Sequence, residues 1–339
     1  GSTTVMCVDK TGTITSGEMM VKNVWANGGV FEVTGDGYSP NGFVTIQGRR
    51  MNRAERAHIL ALFEIAAFCN NAKLNPPSDR IPRWTVLGDP TDGAFLVFAG
   101  KGDLNVSEAL VKNPRIGLIP FDSKRCLMTS THRRSDGKIV AYTKGASHVL
   151  LSKCSTIFLE NERVPLDAVQ REVIERQIET FAAEGLRVLS MGSRVLPNPE
   201  QKEFTSEEVE EDLTFLGLAA LLDPPRPLIE KAVAEARGAG MRVIMVTGDH
   251  HLTAEAIAKR VGIVTSDEHL VISGYELAKL SESELSRILD NPEVVFARTA
   301  PEQKLRIVQT LKSKGEIVAV TGDGVNDAPA LIEAEVGVA

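Results

Sequence analysis

The sequence predicts an α/β fold: a doubly wound parallel sheet with helices on both faces, interrupted by a large inserted region of different texture. From about Leu216 onward, short apolar runs alternate with helical patterns of about 10–13 residues, the signature of strand–helix–strand units. Three of the apolar runs end in an acidic tip: Asp9, Thr247-Gly248-Asp249 and Thr321-Gly322-Asp323. The stretch between about Ala26 and Glu211 lacks the alternation, and both its ends return to it. These observations divide the chain into residues 1–25 and 212–339 of one domain and an inserted α+β domain, residues 26–211, built on an antiparallel sheet.

Val5-Met6-Cys7-Val8 reads as a buried strand that delivers Asp9 to its carboxyl end. In the insert, Gly28-Gly29, Gly35-Asp36-Gly37 and Pro40-Asn41-Gly42 punctuate short alternating runs and predict hairpins. Apolar residues at helical spacing predict helices over Arg53 to Phe68 (Ile59, Leu62, Phe63, Ala66) and Leu166 to Ala183, with strands over Arg115 to Ser130 and Lys138 to Thr143. Beyond the insert, helices are predicted over Arg226 to Arg237, Thr253 to Val261 and Pro301 to Lys312, the last opened by a proline at its first position. Strands are predicted over Arg242 to Thr247, Glu293 to Ala297 and Glu316 to Thr321.

At 339 residues the chain is long enough for two cores. Its net charge of −7 and 5% aromatic content exclude a nucleic-acid surface, which needs basic patches or stacking rings. Phe215 to Leu222, the longest apolar run, falls well short of the roughly 18 residues of a spanning helix. Gly1-Ser2 and the stop at Ala339 are read as the ends of a piece of something larger. Cys7, Cys69, Cys126 and Cys154 lie far apart, with no metal-ligand spacing, and are read as reduced thiols of an intracellular protein.

In a parallel sheet the ligand site lies beyond the carboxyl ends of the strands, so the three acidic tips converge if their strands are neighbours. Carboxylates gathered at one spot repel unless a cation holds them, and hard oxygen ligands suit Mg2+ completed by phosphate oxygens. Gly248 and Gly322, beside Asp249 and Asp323, let backbone approach a phosphate, and Lys304, near the start of its helix, could cancel part of the phosphate charge. The chemistry that follows is phosphoryl transfer.

Asp9-Lys10-Thr11-Gly12-Thr13 followed by Ile14-Thr15 resembles the signature of the P-type ATPases, within the haloacid-dehalogenase superfamily. Further marks of that family follow in order: Asp223-Pro224-Pro225-Arg226, Thr247-Gly248-Asp249, Arg298 with Pro301 and Lys304, and Thr321 to Pro329. The resemblance implies a haloacid-dehalogenase-like phosphorylation domain in which Asp9 is the nucleophile that takes the γ-phosphate of ATP. It implies Mg2+ on the Asp9 carboxylate, the Thr11 carbonyl and Asp323. Thr247, Gly248, Lys304 and Asn326 would contact phosphoryl oxygens, and Asp327 would hold the Asp323 loop and Lys304. Asp249 joins the catalytic set, and Asp223, Arg226 and Arg298 join the cofactor-binding one. Soluble phosphatases of the superfamily resemble one another in having a second Asp two positions after the nucleophile. Thr11 stands there in this chain, and a hydroxyl is no base at neutral pH, so the acyl-phosphate should persist.

The insert resembles the family's nucleotide-binding domain at four places. Gly88-Asp89-Pro90-Thr91-Asp92-Gly93-Ala94 would place Asp89 near the adenine amino group, and Pro120-Phe121-Asp122-Ser123 would stack Phe121 on the base. Lys144-Gly145-Ala146 supplies a lysine at the base of the pocket and a glycine that allows close approach, and Leu186-Arg187-Val188-Leu189 an arginine facing the β-phosphate. Alone, Phe121 would read as a core ring and Lys144 as a solvated lysine; order and spacing favour binding. Cys126 stands where relatives often carry a basic residue, with Arg125 beside it, and Ser147-His148 replaces a common Pro-Glu. Thr34-Gly35-Asp36 reads as a turn, and His250-His251 as part of a helix start rather than a metal site.

The resemblance is strongest to the calcium and sodium–potassium pump subgroup, with calcium as the first expectation for the transported ion. It implies ATP and that cation as partners, together with actuator and transmembrane domains of the same full-length chain. The fragment is expected to be monomeric, at the cytoplasmic face of a membrane. A soluble haloacid-dehalogenase-type phosphatase with a large cap is the alternative enzyme, and a non-catalytic nucleotide sensor the alternative outside enzymes.

Overall fold

The computed structural model describes residues 3–160, 162–198, 200–322 and 327–339. The chain forms two compact units. The first comprises Gly1–Gly17, Ala182–Gly185 and Asp223–Ala339; the second comprises Glu18–Phe181 and Leu186–Leu222.

The first unit holds a six-stranded sheet in the order Leu270–Ser273, Val294–Ala297, Arg242–Val246, Val5–Val8, Val318–Thr321, Val336–Val338. Every pairing is parallel. The first strand of the chain is therefore central, flanked directly by the two strands that lead into Thr247-Gly248-Asp249 and Thr321-Gly322. Val5, Cys7, Ile244, Val246, Phe296, Val318 and Val320 bury one face of the sheet with Leu277, Ile307, Val308 and Leu311. Strands covered on both faces read as near-continuous apolar runs, which is why these were legible. The crossover helices form as expected, at Ile229–Gly238, His251–Arg260 and Pro301–Ser313. Two further helices, Gly274–Lys279 and Glu282–Ile288, lie outside the predicted set; in each the start is a reciprocal capping box, Ser273 with Glu276 and Ser281 with Glu284.

The second unit is built on an eleven-stranded, mostly antiparallel sheet. Its path runs Arg49–Arg50, Val44–Ile46, Gly29–Val33, Met20–Ala26, Leu213–Leu222, Arg187–Val195, Ile139–Ala146, Leu127–Arg133, Arg115–Asp122. Cys154–Leu159 adds to Leu213–Leu222 in parallel and carries Glu162–Pro165 as its own partner. The helices Arg53–Phe68 and Pro90–Lys101 cover one face, where Ile59, Leu62, Phe63, Phe95 and Phe98 pack on Val24, Tyr142 and Met191. Cys7, Cys69 and Cys154 are buried, and all four cysteines are free thiols.

The division of the chain falls at 17/18 and 222/223, outside the expected 25/26 and 211/212. Met20–Ala26 and Leu213–Leu222 pair antiparallel to each other, Leu218 against Trp25 and Leu222 against Met20, in the middle of the large sheet. All ten residues of Leu213–Leu222 are buried, so the strand lacks the in–out alternation of a half-exposed antiparallel strand. By pattern it is indistinguishable from a parallel one, and it was grouped with the wrong sheet for that reason.

Candidate active site

Asp9 stands at the tip of the central strand of the parallel sheet and is 9% exposed. One carboxylate oxygen accepts the Lys10 N–H at 2.7 Å, and the other lies 3.1 Å from Lys304 Nζ. The Asp9 N–H donates to Thr321 Oγ1 at 3.3 Å, tying the tip to the neighbouring strand. Lys304 comes from the first turns of Pro301–Ser313, a helix started by Pro301 and by the Gln303 side chain, which accepts the Ala300 N–H. The same Nζ lies 2.6 Å from Asp327 Oδ1, so one ammonium serves two carboxylates. Burial pushes the Asp9 carboxyl group above its ordinary range, and the Lys304 charge pulls it part of the way back. The set of Asp9, Lys304 and Asp327 carries one net negative charge. With the Thr11 carbonyl it offers hard oxygen donors, the kind Mg2+ takes. Asp323 and Asn326, the other expected members of this cluster, lie outside the described residues.

Asp249 and Asp223, expected in the catalytic and the cofactor-binding sets, both pair with a lysine of the chain. Lys10, itself buried, places Nζ 2.6 Å from Asp249 Oδ2 and 3.5 Å from Asp223 Oδ2. Asp223 also accepts the Thr15 hydroxyl at 2.5 Å and the Gly17 N–H at 2.9 Å. Buried carboxylates require such partners, so Lys10 is a structural member of the site that residue order alone did not reveal. Arg226 likewise donates to the Gly12 carbonyl rather than standing free. Its own N–H bonds the Ile14 carbonyl at 2.8 Å, while Thr15 bridges Pro225. The segment Asp223 to Arg226 thus clamps the wide turn of residues 10–15, which is closed by the Thr15 N–H on the Lys10 carbonyl at 2.9 Å. Gly12, at φ 74°, permits that turn, and Thr11 on it is exposed.

Thr247 is buried. Its hydroxyl oxygen accepts the Asp249 N–H at 3.2 Å, and its carbonyl accepts the Thr299 hydroxyl at 3.0 Å. Among the described residues, a methyl group added at Gly248 would meet nothing nearer than the Thr299 carbonyl at 4.0 Å, so none of them demands glycine there. At Gly322 the reverse holds, since Asp327 Cβ would lie 2.5 Å from an added Cβ. Arg298 is exposed and adopts φ 52°, uncommon for a side chain of its size, with its N–H on the Asp249 carbonyl at 2.8 Å. His250 Nδ1 accepts the Leu252 N–H and so caps His251–Arg260, the helix start the sequence suggested.

In the second unit one of the expected nucleotide residues, Lys144, forms a buried ion pair. Lys144 Nζ lies 2.5 Å from Asp92 Oδ1 and 4.6 Å from the centre of the Phe95 ring, and both charged groups are buried. Lys144 is therefore no solvated surface lysine. Asp92 was passed over in favour of Asp89, three residues earlier in the same acidic stretch. Asp89 is exposed and caps Pro90–Lys101, accepting the N–H groups of Thr91 at 2.7 Å and Asp92 at 3.2 Å. Phe121 is 58% exposed on the edge strand Arg115–Asp122, which rules out the reading of a core ring. Arg187, also exposed, opens the strand Arg187–Val195. Arg125 does not stand in for a basic residue at Cys126, because its guanidinium is held by buried Glu210 and the Pro120 carbonyl. The helix Ser147–Ser152 starts without a side-chain cap.

The close approach at Gly145 is made by the protein itself. An added Cβ would lie 2.2 Å from the Cys126 carbonyl and 2.9 Å from Leu127 Cα. Gly145→Ala is therefore expected to cost the second unit about 1–3 kcal/mol by overpacking. Urea denaturation read at the tryptophans measures it, and unchanged stability would contradict the packing assignment.

A doubly wound parallel sheet of haloacid-dehalogenase type, with an aspartate at its central strand tip and a large antiparallel unit inserted, is the class this fold and site define. The family model described as P-type ATPase, cytoplasmic domain N, matches residues 58–228, and the chain belongs to the P-type ATPase family. It is 39% identical to a cation-transporting ATPase of Synechocystis and 37% identical to a calcium-transporting ATPase of Bacillus subtilis, in each case over 100% of this chain and 37% of the relative. It is 36% identical to the potassium-transporting ATPase alpha chain 2 of Cavia porcellus, over 100% of this chain and 35% of that protein. The chain thus spans little more than a third of these relatives. Among the described residues no helix is long and apolar enough to cross a membrane.

Proposed function

We infer that this chain is the ATP-binding, self-phosphorylating part of a cation pump, divided into a phosphorylation unit and a nucleotide unit. The observation that carries this reading is the Asp9 carboxylate, held at the tip of the central strand between the Lys10 backbone amide and the Lys304 ammonium. An Asp9 oxygen attacks the γ-phosphorus of ATP, the bond from that phosphorus to the β–γ bridging oxygen breaks, and ADP leaves. The nucleophile is a carboxylate, so no proton has to be removed. What the protein must supply is position and charge neutralisation.

Lys304 neutralises the transferred group, and Asp327 fixes its Nζ. The Thr247 hydroxyl and the open space beside Gly248 suit phosphoryl oxygens, which also gives a reason for glycine where packing among the described residues gives none. Asn326 is assigned to the same oxygens. Mg2+, when bound, would be held by Asp9, the Thr11 carbonyl and Asp323 and would offset the negative charge of phosphate. With the Thr11 hydroxyl in the place of a second carboxylate, no base activates water, so the aspartyl-phosphate lasts long enough to drive a conformational step in the whole pump.

In the nucleotide unit, exposed Phe121 stacks on adenine, and the Lys144–Asp92 pair forms the floor beside Gly145. Asp89 takes the adenine amino group and Arg187 the β-phosphate. The actuator, the membrane domain and the transported cation belong to the whole protein, with calcium as the ion expected first. The unit itself lies at the cytoplasmic face.

Phe121→Ala and Lys144→Ala should each weaken ATP binding by about 1–3 kcal/mol, measured by calorimetry on the chain. Phe121 is exposed, so its replacement should leave stability unchanged and report on binding alone. Wild-type affinity in Phe121→Ala would remove the ring from the site.

A further inference from the structure

A second cleft in the nucleotide unit has the lining of a small-molecule site and shares no residue with the one described above. Its volume is about 390 Å³, within the usual range for ligand pockets. Its apolar part is made by Val140, Tyr142, Phe158 and Leu216, and Ala61 and Glu64 of the helix Arg53–Phe68 contribute to the lining. Tyr142 and Lys144 alternate on one strand and so share a face, yet Lys144, Asp92 and Phe121 do not line this cleft.

The charges around it are unbalanced. Arg134 pairs with Glu64 at 3.0 Å and also donates to the Tyr142 hydroxyl at 2.9 Å. Lys138 pairs with Asp136 at 3.4 Å. Among the described residues Arg163 donates only its Nε, to Thr156 Oγ1 at 2.8 Å, and pairs with no carboxylate. Three cations against two carboxylates leave one positive charge. It sits on an exposed guanidinium, whose planar fork suits a carboxylate.

We propose that this cleft binds an amphipathic monocarboxylate, its aryl or acyl body against Val140, Phe158 and Leu216 and its carboxylate on Arg163. The charge count sets the class. A neutral ligand leaves Arg163 uncompensated, and a dianion overshoots it while competing with Glu64 and Asp136. None of Asp92, Phe121 and Lys144 lines the cleft, so occupancy should not displace ATP.

Calorimetry on the full chain with 4-phenylbutyrate, and with 4-phenylbutanamide as its uncharged counterpart, tests the assignment. Saturable binding at one site is expected, at least 10-fold weaker for the amide and at least 10-fold weaker in Arg163→Gln. ATP affinity should be unchanged in that variant. Val195→Trp, which fills the cleft from a half-exposed strand position, should abolish binding of the carboxylate. Absence of saturable binding, equal affinity for acid and amide, wild-type affinity in Arg163→Gln, or displacement of phenylbutyrate by ATP would each overturn the proposal.

Discussion

Asp9→Asn abolishes acid-stable incorporation of label from γ-labelled ATP in the whole protein, a loss of roughly 10³-fold or more, while nucleotide binding survives. An amide oxygen is a far poorer nucleophile than a carboxylate, and no second acidic group lies two positions along to replace it. The substitution should not disturb the fold. A carboxyl group whose folded pKa lies above its unfolded value contributes stability below the unfolded pKa and loses it as pH rises through the folded one. Asp9 is raised by burial, so at neutral pH its charged form is a cost that the neutral amide does not carry. Lys304, 2.6 Å from Asp327, keeps that partner when Asp9 is replaced. Equal or greater stability with absent phosphorylation is therefore the expected pair of results. Residual label at the wild-type level would place the acceptor elsewhere.

Lys10→Met should destabilise the phosphorylation unit by about 3–5 kcal/mol, the usual cost of removing one partner of a buried ion pair. Most of that cost falls on Asp223. Its side chain is 5% exposed, against 34% for Asp249, which can turn to water. Asp223 keeps its bonds from Thr15 and Gly17, which support a neutral side chain as well as a charged one. Adding Asp223→Asn to Lys10→Met should therefore recover part of the loss. The single variant should also slow phosphorylation, because the Lys10 side chain anchors on Asp223 and Asp249 the turn whose first backbone amide orients Asp9. Denaturant unfolding reads the first effect. A cost below about 1 kcal/mol would mean that Lys10 does not hold the two carboxylates in solution.

What was legible in the sequence follows from where each residue's partners come from. The strand tips were legible because a run such as Val5-Met6-Cys7-Val8 ahead of Asp9 has the same meaning wherever it is packed. The convergence of Asp9 with Thr247 and Thr321 required neighbouring strands, and the sheet order supplies them. The pairing of Lys10 with Asp223 and Asp249 spans more than two hundred positions and leaves no local mark, so the sequence does not show that the lysine holds both carboxylates. Asp92 was missed for a related reason. Asp89 and Asp92 are alike in type, and only the fold shows that one caps a helix at the surface while the other meets Lys144 inside. The extent of the insert was misjudged because Leu213–Leu222 is buried on both faces and reads as a parallel strand.

The central claim, that Asp9 accepts the phosphate, is tested most directly by chemical mapping of the phosphorylated residue. Acid-quenched protein taken after brief exposure to ATP is reduced with borohydride, which converts an aspartyl-phosphate to homoserine with release of phosphate, and is then digested and sequenced by mass spectrometry. Homoserine at position 9, absent when ATP is withheld, is the expected result. Homoserine at another aspartate, or phosphate that survives both reduction and hydroxylamine, would contradict it.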